Sequence, residues 1–115
     1  MKFRHAFYKS QEFKDWATKL DAWEAVDELK ILLDSNPDTG DVIPKGKGLR
    51  KTRIGLPGRG KRGGARVIYY QVVGECILLV DLYAKNEKSD LSDEELKDAI
   101  EVRDAMLNQI RGRTK

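Results

Sequence analysis

One histidine and one cysteine in 115 residues leave little material for metal or thiol chemistry. His5 by itself cannot assemble a Cys/His metal cluster, and at most serves as a lone acid or base. Cys76 by itself cannot close an internal disulfide, which fits a reducing cytoplasm. Its place in an apolar strand marks it as a buried structural thiol rather than a nucleophile. No apolar run reaches transmembrane length, and no apolar signal region follows Met1-Lys2-Phe3-Arg4-His5. A cytoplasmic protein without membrane contact is therefore expected. The most informative absence is of acid. Between Val42 and Gly74 there is no Asp or Glu, while Lys45, Lys47, Arg50, Lys51, Arg53, Arg59, Lys61, Arg62 and Arg66 supply nine positive charges. The net charge is only +3, so the remainder of the chain nets −6. A local basic block of this kind points to a directed contact with a polyanion.

The length suits one domain, residues 1–115, with a real core and no room for a second. A hydrophobic content of 40% against 36% charged residues argues for a folded chain. The stretch that organises it is a hairpin. Arg66-Val67-Ile68-Tyr69-Tyr70-Gln71-Val72-Val73 and Cys76-Ile77-Leu78-Leu79-Val80-Asp81-Leu82-Tyr83 are rich in β-branched and aromatic residues and are separated by Gly74-Glu75. Glycine at the first central position suits a two-residue type II′ turn. That turn sets Val73 opposite Cys76, Tyr70 opposite Leu79 and Arg66 opposite Tyr83. Alternation then puts Arg66, Ile68, Tyr70, Leu79, Asp81 and Tyr83 on a polar working face. Val67, Tyr69, Leu78, Val80 and Leu82 fall on a core face. A slip of one residue would exchange the two.

Before the hairpin, Lys2–Tyr8 alternates weakly and reads as a short strand. Ser10 is placed to cap a helix with Phe13, Trp16, Ala17 and Leu20 on one stripe. Asp21 with Glu24 reads as a second cap, opening a helix that buries Trp23, Val26, Leu29 and Leu33 and stops near Ser35-Asn36 ahead of Pro37. Asn36–Gly48 has loop composition, and Leu49–Ile54 is a short strand with Lys51 and Arg53 on one face. Gly55–Gly64 reads as a second flexible loop. It lacks the Gly-Lys-Ser/Thr ending of a nucleotide P-loop and no helix follows it, so it suits a backbone phosphate instead. Ser92-Asp93-Glu94-Glu95 is a capping box for a long helix carrying Leu96, Ala99, Ile100, Met106, Leu107 and Ile110, with Gly112 at its end. The order implies an α+β domain: a small, mainly antiparallel sheet with helices on one face.

Three strings carry a family resemblance: Gly48-Leu49-Arg50-Lys51-Thr52-Arg53, Gly64-Ala65-Arg66-Val67-Ile68-Tyr69-Tyr70, and Tyr83-Ala84-Lys85-Asn86-Glu87-Lys88-Ser89-Asp90-Leu91. With Asn36-Pro37 through Gly40-Asp41-Val42-Ile43-Pro44, they resemble the RelE/HigB toxins of bacterial type II toxin–antitoxin systems, the HigB-like branch most closely. The resemblance spans about two-thirds of the chain and implies a RelE/ParE-like fold. It also implies an endoribonuclease that cuts messenger RNA in the ribosomal decoding site, with a cognate antitoxin, in the HigB branch often a helix-turn-helix protein. Lys51 and Arg53 correspond to basic residues lining the RNA site, and Arg66 to the arginine opening the next strand. Lys85 and Asn86 fall where many RelE toxins have a basic pair, Asn86 replacing an arginine common there. The tyrosine near the end of RelE toxins has no counterpart. No cofactor is implied.

The residues support the same chemistry directly. RNA cleavage without metal requires the 2′-hydroxyl to lose a proton, the phosphorane to be neutralised and the 5′-oxygen to gain a proton. Lys51, Arg53, Arg66 and Lys85 suit neutralisation. Glu87, on the Arg66 face by continued alternation, is the candidate base, its pKa depressed by the cations around it. Lys45, Lys47, Arg50, Arg59, Lys61, Arg62 and Tyr83 are expected to contact RNA. The alternative is a non-catalytic inhibitor of DNA gyrase, as the ParE toxins are on the same fold.

Overall fold

The computed structural model describes residues 2–58, 60–84 and 90–112, and of residues 60–63 the backbone alone. The elements run β1 (Ala6–Lys9), α1 (Gln11–Lys19), α2 (Trp23–Ser35), β2 (Asp41–Val42), β3 (Arg50–Leu56), β4 (Gly60–Val72), β5 (Cys76–Ala84) and α3 (Asp93–Gly112). The strands form one sheet in the order β1-β5-β4-β3-β2. Only the β1–β5 pair is parallel; the others are antiparallel. The α+β class and the mainly antiparallel sheet are as the sequence predicts.

The helices, however, cover both faces rather than one. Phe13, Ala17, Val26, Leu29 and Leu33 of α1 and α2 pack against Ile54, Val67, Tyr69, Ile77, Leu79 and Leu82. Leu96, Ala99 and Met106 of α3 pack against Leu49, Ile68, Cys76, Leu78, Val80 and Tyr83 on the opposite face. Strand β5 explains why. Cys76 through Val80 are all buried, the unbroken apolar run of a central strand covered on both sides.

The hairpin register is correct at one end and shifted at the other. The turn holds three residues, so Val72 rather than Val73 pairs with Cys76, and Tyr70 pairs with Leu78 rather than Leu79. Gly74 does take a positive φ, at 76°. A bulge between Ile68 and Tyr69 then skips Val80 and restores Arg66 opposite Tyr83. In consequence Leu79 belongs to the α1/α2 core, while Leu78 and Val80 face α3, the reverse of the expectation for all three.

Ser10 ties the bulge to helix α1. Its Oγ accepts from Phe13 N at 3.0 Å, the expected N-cap, and donates to Val80 O at 2.6 Å, so the skipped residue keeps a partner for its carbonyl. Asp21 does not cap α2. It sits at φ 52° in the break between the helices, and Ala22 occupies the N-cap position without a side-chain bond. The capping box of α3 is as predicted: Ser92 N donates to Glu95 Oε1 at 2.9 Å and Glu95 N to Ser92 Oγ at 3.1 Å.

Two loops are more ordered than their composition suggests. The Asn36–Gly48 segment contains β2, and Gly55–Gly64 is mostly strand, with β3 reaching Leu56 and β4 starting at Gly60.

Candidate functional site

Alternation along β3 puts Lys51 and Arg53 on the α3 side of the sheet with Leu49. Cross-strand pairing then sets Arg53 opposite Arg66, and Arg66 opposite Tyr83. The neighbouring row runs Lys51, Ile68, Asp81. Lys51, Arg53 and Arg66 are therefore brought together, as the sequence predicts. Like charges directly opposite each other destabilise a sheet, so the Arg53–Arg66 pair is not explained by folding. Arg66 is half-buried, and among the described residues its buried Nε has no hydrogen-bond partner. A donor left in that state costs about 1–3 kcal/mol until an acceptor arrives.

Tyr83 corrects an expectation. It lies on the predicted face but is only 3% exposed, packed beneath α3, so it is part of the floor rather than a surface contact. Burial pushes its phenol up, and the nearby Arg66 charge offsets this only in part. Lys51 is also held. Its Nζ donates to Asp90 Oδ1 at 2.7 Å, and this bond, foremost, holds the Asp90 carboxyl below its ordinary value.

Two grooves meet at Lys51. One, of about 280 Å³, lies between the sheet and the start of α3, with Ile43, Pro44, Leu91 and Leu96 as walls and Ile68 and Tyr83 beneath. The other, of about 350 Å³, follows the edge of β3 past Thr39 and Asp41 and is bordered by Arg53 and Arg66. A cavity of about 480 Å³ between the start of α1 and the later turns of α3 contains none of the predicted site residues.

The remaining candidates divide. Arg50 points to the other face of β3 and straps the loop before β2: its Nη1 donates to Gly40 O at 2.7 Å and its Nη2 lies 3.4 Å from Asp38 Oδ1. Lys45 and Lys47 are exposed on the loop beside the first groove, both with left-handed backbones at φ 63° and 51°. Lys61 and Arg62 lie on β4, where only the backbone is described. Arg59, Lys85, Asn86 and Glu87 lie outside the described residues. His5 is structural. Its Nδ1 and backbone N each lie 2.9 Å from Asp34 Oδ1. Burial alone would raise the Asp34 carboxyl, but hydrogen bonds from Arg4 and His5 outweigh it and hold it low. Cys76 is buried, and its thiol is pushed up accordingly.

Sequence reasoning missed Asp90 and Arg103. The Asp90–Lys51 contact spans 39 residues, which no local pattern reveals. Arg103 had a signal, since it falls in line with Leu96, Ala99 and Met106 on the buried stripe of α3. It is 5% exposed, donates from Nη1 to Lys47 O at 3.0 Å, and lies 4.4 Å over the Tyr70 ring. It thus fastens the loop of Lys45 and Lys47 to α3. Among the described residues, no cluster of His, Cys, Asp or Glu is placed to hold a metal ion. No described helix is long and apolar enough to cross a membrane.

A five-stranded sheet between helices, with cations gathered on one stretch of β3 and β4, defines a small α+β domain. Residues 5–111 match the family described as RelE toxin of RelE / RelB toxin-antitoxin system, and the chain belongs to that family. It is a toxin of a toxin–antitoxin system, and membership implies a cognate antitoxin as its partner.

Proposed function

We propose that this toxin is a ribosome-dependent mRNA endoribonuclease that halts translation and is neutralised by its antitoxin. The observation that carries the reading is the Arg53–Arg66 cross-strand pair, with an unpartnered Arg66 Nε beside it. Two cations facing each other repel until an anion lies between them, and a backbone phosphate supplies both charge and acceptors. The scissile phosphate sits over this pair, with Lys51 on its flank. The 2′-hydroxyl attacks phosphorus, the P–O5′ bond breaks as the 5′-oxygen takes a proton from water, and the products are a 2′,3′-cyclic phosphate and a 5′-hydroxyl.

Arg53 and Arg66 stabilise the charge that builds on the equatorial oxygens. Lys51, oriented by Asp90, adds a third cation, and Lys85 belongs to the same set. Glu87 takes the 2′-hydroxyl proton, with Asn86 positioning the substrate beside it. The family's basic pair and Glu87 motivate these last assignments. Tyr83 supports Arg66 from below. Its phenol, raised by burial, keeps its proton at neutral pH and is no base. A weakly basic Glu87 suffices where the ribosome holds the RNA in an attacking geometry. No metal ion enters the scheme.

The test is Arg66→Ala added to ribosomes programmed with a defined message. The wild-type protein is expected to cut the message in the decoding site and the variant to lose at least a hundredfold in rate, the usual scale for removing one such donor. Thermal unfolding should change little, because the lost side chain leaves no unpaired group behind. A fully active, well-folded Arg66→Ala overturns the site. Wild-type protein that spares the message and instead blocks gyrase supercoiling overturns the nuclease reading in favour of a ParE-like one.

A further inference from the structure

The groove between the sheet and the start of α3 does something the phosphate chemistry leaves unused. At about 280 Å³ it is smaller than the pockets that hold drug-sized ligands, which begin near 300 Å³. Its walls are apolar on two sides: Ile43 and Pro44 from the loop before β3, Leu91 and Leu96 from the entry to α3. Its charged lining comes from Lys51, Asp90 and Asp93, with the Asp90 side chain 63% exposed and so at the mouth. Lys51 also borders the edge groove of Arg53 and Arg66, so the two spaces adjoin at one side chain.

We infer that this groove is a nucleobase subsite: a single base of the RNA enters between the Ile43–Pro44 and Leu91–Leu96 walls while its phosphate stays over the Arg53–Arg66 pair. The inference rests on the RNA reading of the site above. Single-stranded RNA is recognised in this way, by unstacked bases laid against side chains and bonded along their edges. The apolar walls meet the faces of the ring, and the mouth meets its edge.

The chemistry of the mouth sets the preference. Asp90 and Asp93 offer acceptors only, when ionised. Lys51 offsets the Asp90 charge and holds that carboxyl ionised below its ordinary range, while the Asp90 side chain remains 63% exposed and reachable. Acceptors of this kind match bases with an exocyclic amino group, as an Asp matches cytosine N4. Uracil offers two carbonyls flanking one N–H, so only that N–H suits the carboxylates, and its carbonyls are left to Lys51, already engaged by Asp90. The subsite therefore admits adenine, cytosine or guanine and discriminates against uracil.

The experiment is direct binding to the full-length protein at fixed salt, read by fluorescence anisotropy. The probes are labelled 2′-O-methyl hexamers, which cannot be cleaved by 2′-hydroxyl attack: all-adenine, all-cytosine, all-uracil and abasic. The adenine and cytosine hexamers are expected to bind about tenfold more tightly than the uracil one, within the range of one good base contact. The abasic hexamer should be no tighter than uracil. Ile43→Trp, which fills the groove and leaves Lys51, Arg53 and Arg66 unsubstituted, should level the four affinities while keeping the salt dependence set by phosphate contacts. Asp90→Asn, which keeps the side chain's shape, supplies a donor as well as an acceptor and should raise uracil relative to adenine. Equal binding of all four probes by the wild-type protein overturns the subsite, as does preference that survives both substitutions. Failure of the nuclease reading shows differently, as base preference without message cleavage on the ribosome.

Discussion

Removing one oxygen from Tyr69 is expected to loosen this fold more than removing the charge of Arg66. Tyr69 is 0% exposed in the α1/α2 core. Its hydroxyl accepts from Gly40 N at 2.8 Å and donates to Pro37 O at 2.8 Å, pinning the turn between α2 and β2. Gly40 has to be glycine here, since a Cβ would lie 2.7 Å from Lys51 O and 2.8 Å from the Tyr69 ring. Tyr69→Phe conserves the ring, so no large cavity opens, but it strands the buried Gly40 N–H and removes one donor from the Pro37 carbonyl. The two losses together cost about 2–3 kcal/mol, which in a domain of this size lowers Tm by roughly 10 °C. Thermal and urea unfolding followed by circular dichroism measure the loss, and amide exchange at Gly40 localises it. Below the new Tm the variant should retain growth arrest, because the Arg53–Arg66 row lies on the other face of the sheet. A change under about 0.5 kcal/mol, with Gly40 still protected, refutes the view that this hydroxyl holds the turn.

Two further outcomes follow from buried polar groups. Arg103→Met keeps the volume on the α3 stripe but loses the bond to Lys47 O and the stacking on Tyr70. A cost of about 1–2 kcal/mol is expected, with faster amide exchange at Gly46 and Leu49; unchanged exchange there refutes the fastening role. Stability should also fall in alkali. Burial raises the Cys76 thiol above its ordinary 9.0 and the Tyr69 and Tyr83 phenols above their ordinary 10.0. The folded state therefore holds these protons after the unfolded chain has released them. Their contribution is intact below pH 9 and declines as pH rises through the folded values. Urea midpoints that stay flat from pH 8 to pH 11 would sink this account, the window being that of ordinary thiol and phenol titration.

Much of the site was legible because it depends on short-range rules. Two basic residues two apart on a strand must share a face, so Lys51 and Arg53 were placed by alternation alone. Arg66 reached them through the hairpin. It pairs with Tyr83 although the turn holds three residues rather than two, since the Val80 bulge cancels the extra turn residue. That cancellation was luck as far as the sequence goes: nothing in the Leu78-Leu79-Val80-Asp81 string marks a bulge. Ser10, seventy residues away, supplies the hydrogen bond that satisfies it.

The amino-acid sequence by itself determined the three helices and the central hairpin, the caps at Ser10 and Ser92, the mainly antiparallel sheet, the burial of Tyr69 and the gathering of positive charge on β3 and β4. These follow from periodicity, capping chemistry and charge counts, which act within a few residues. Only the tertiary structure decided that both faces of the sheet are covered, that Tyr83 is floor and Arg50 a strap, and that Asp90 and Arg103 reach back to Lys51 and the Lys47 loop. Each of those outcomes is a contact between different elements of the fold. Its energy comes from burial and hydrogen bonding that exist only once the helices and loops have closed over the sheet.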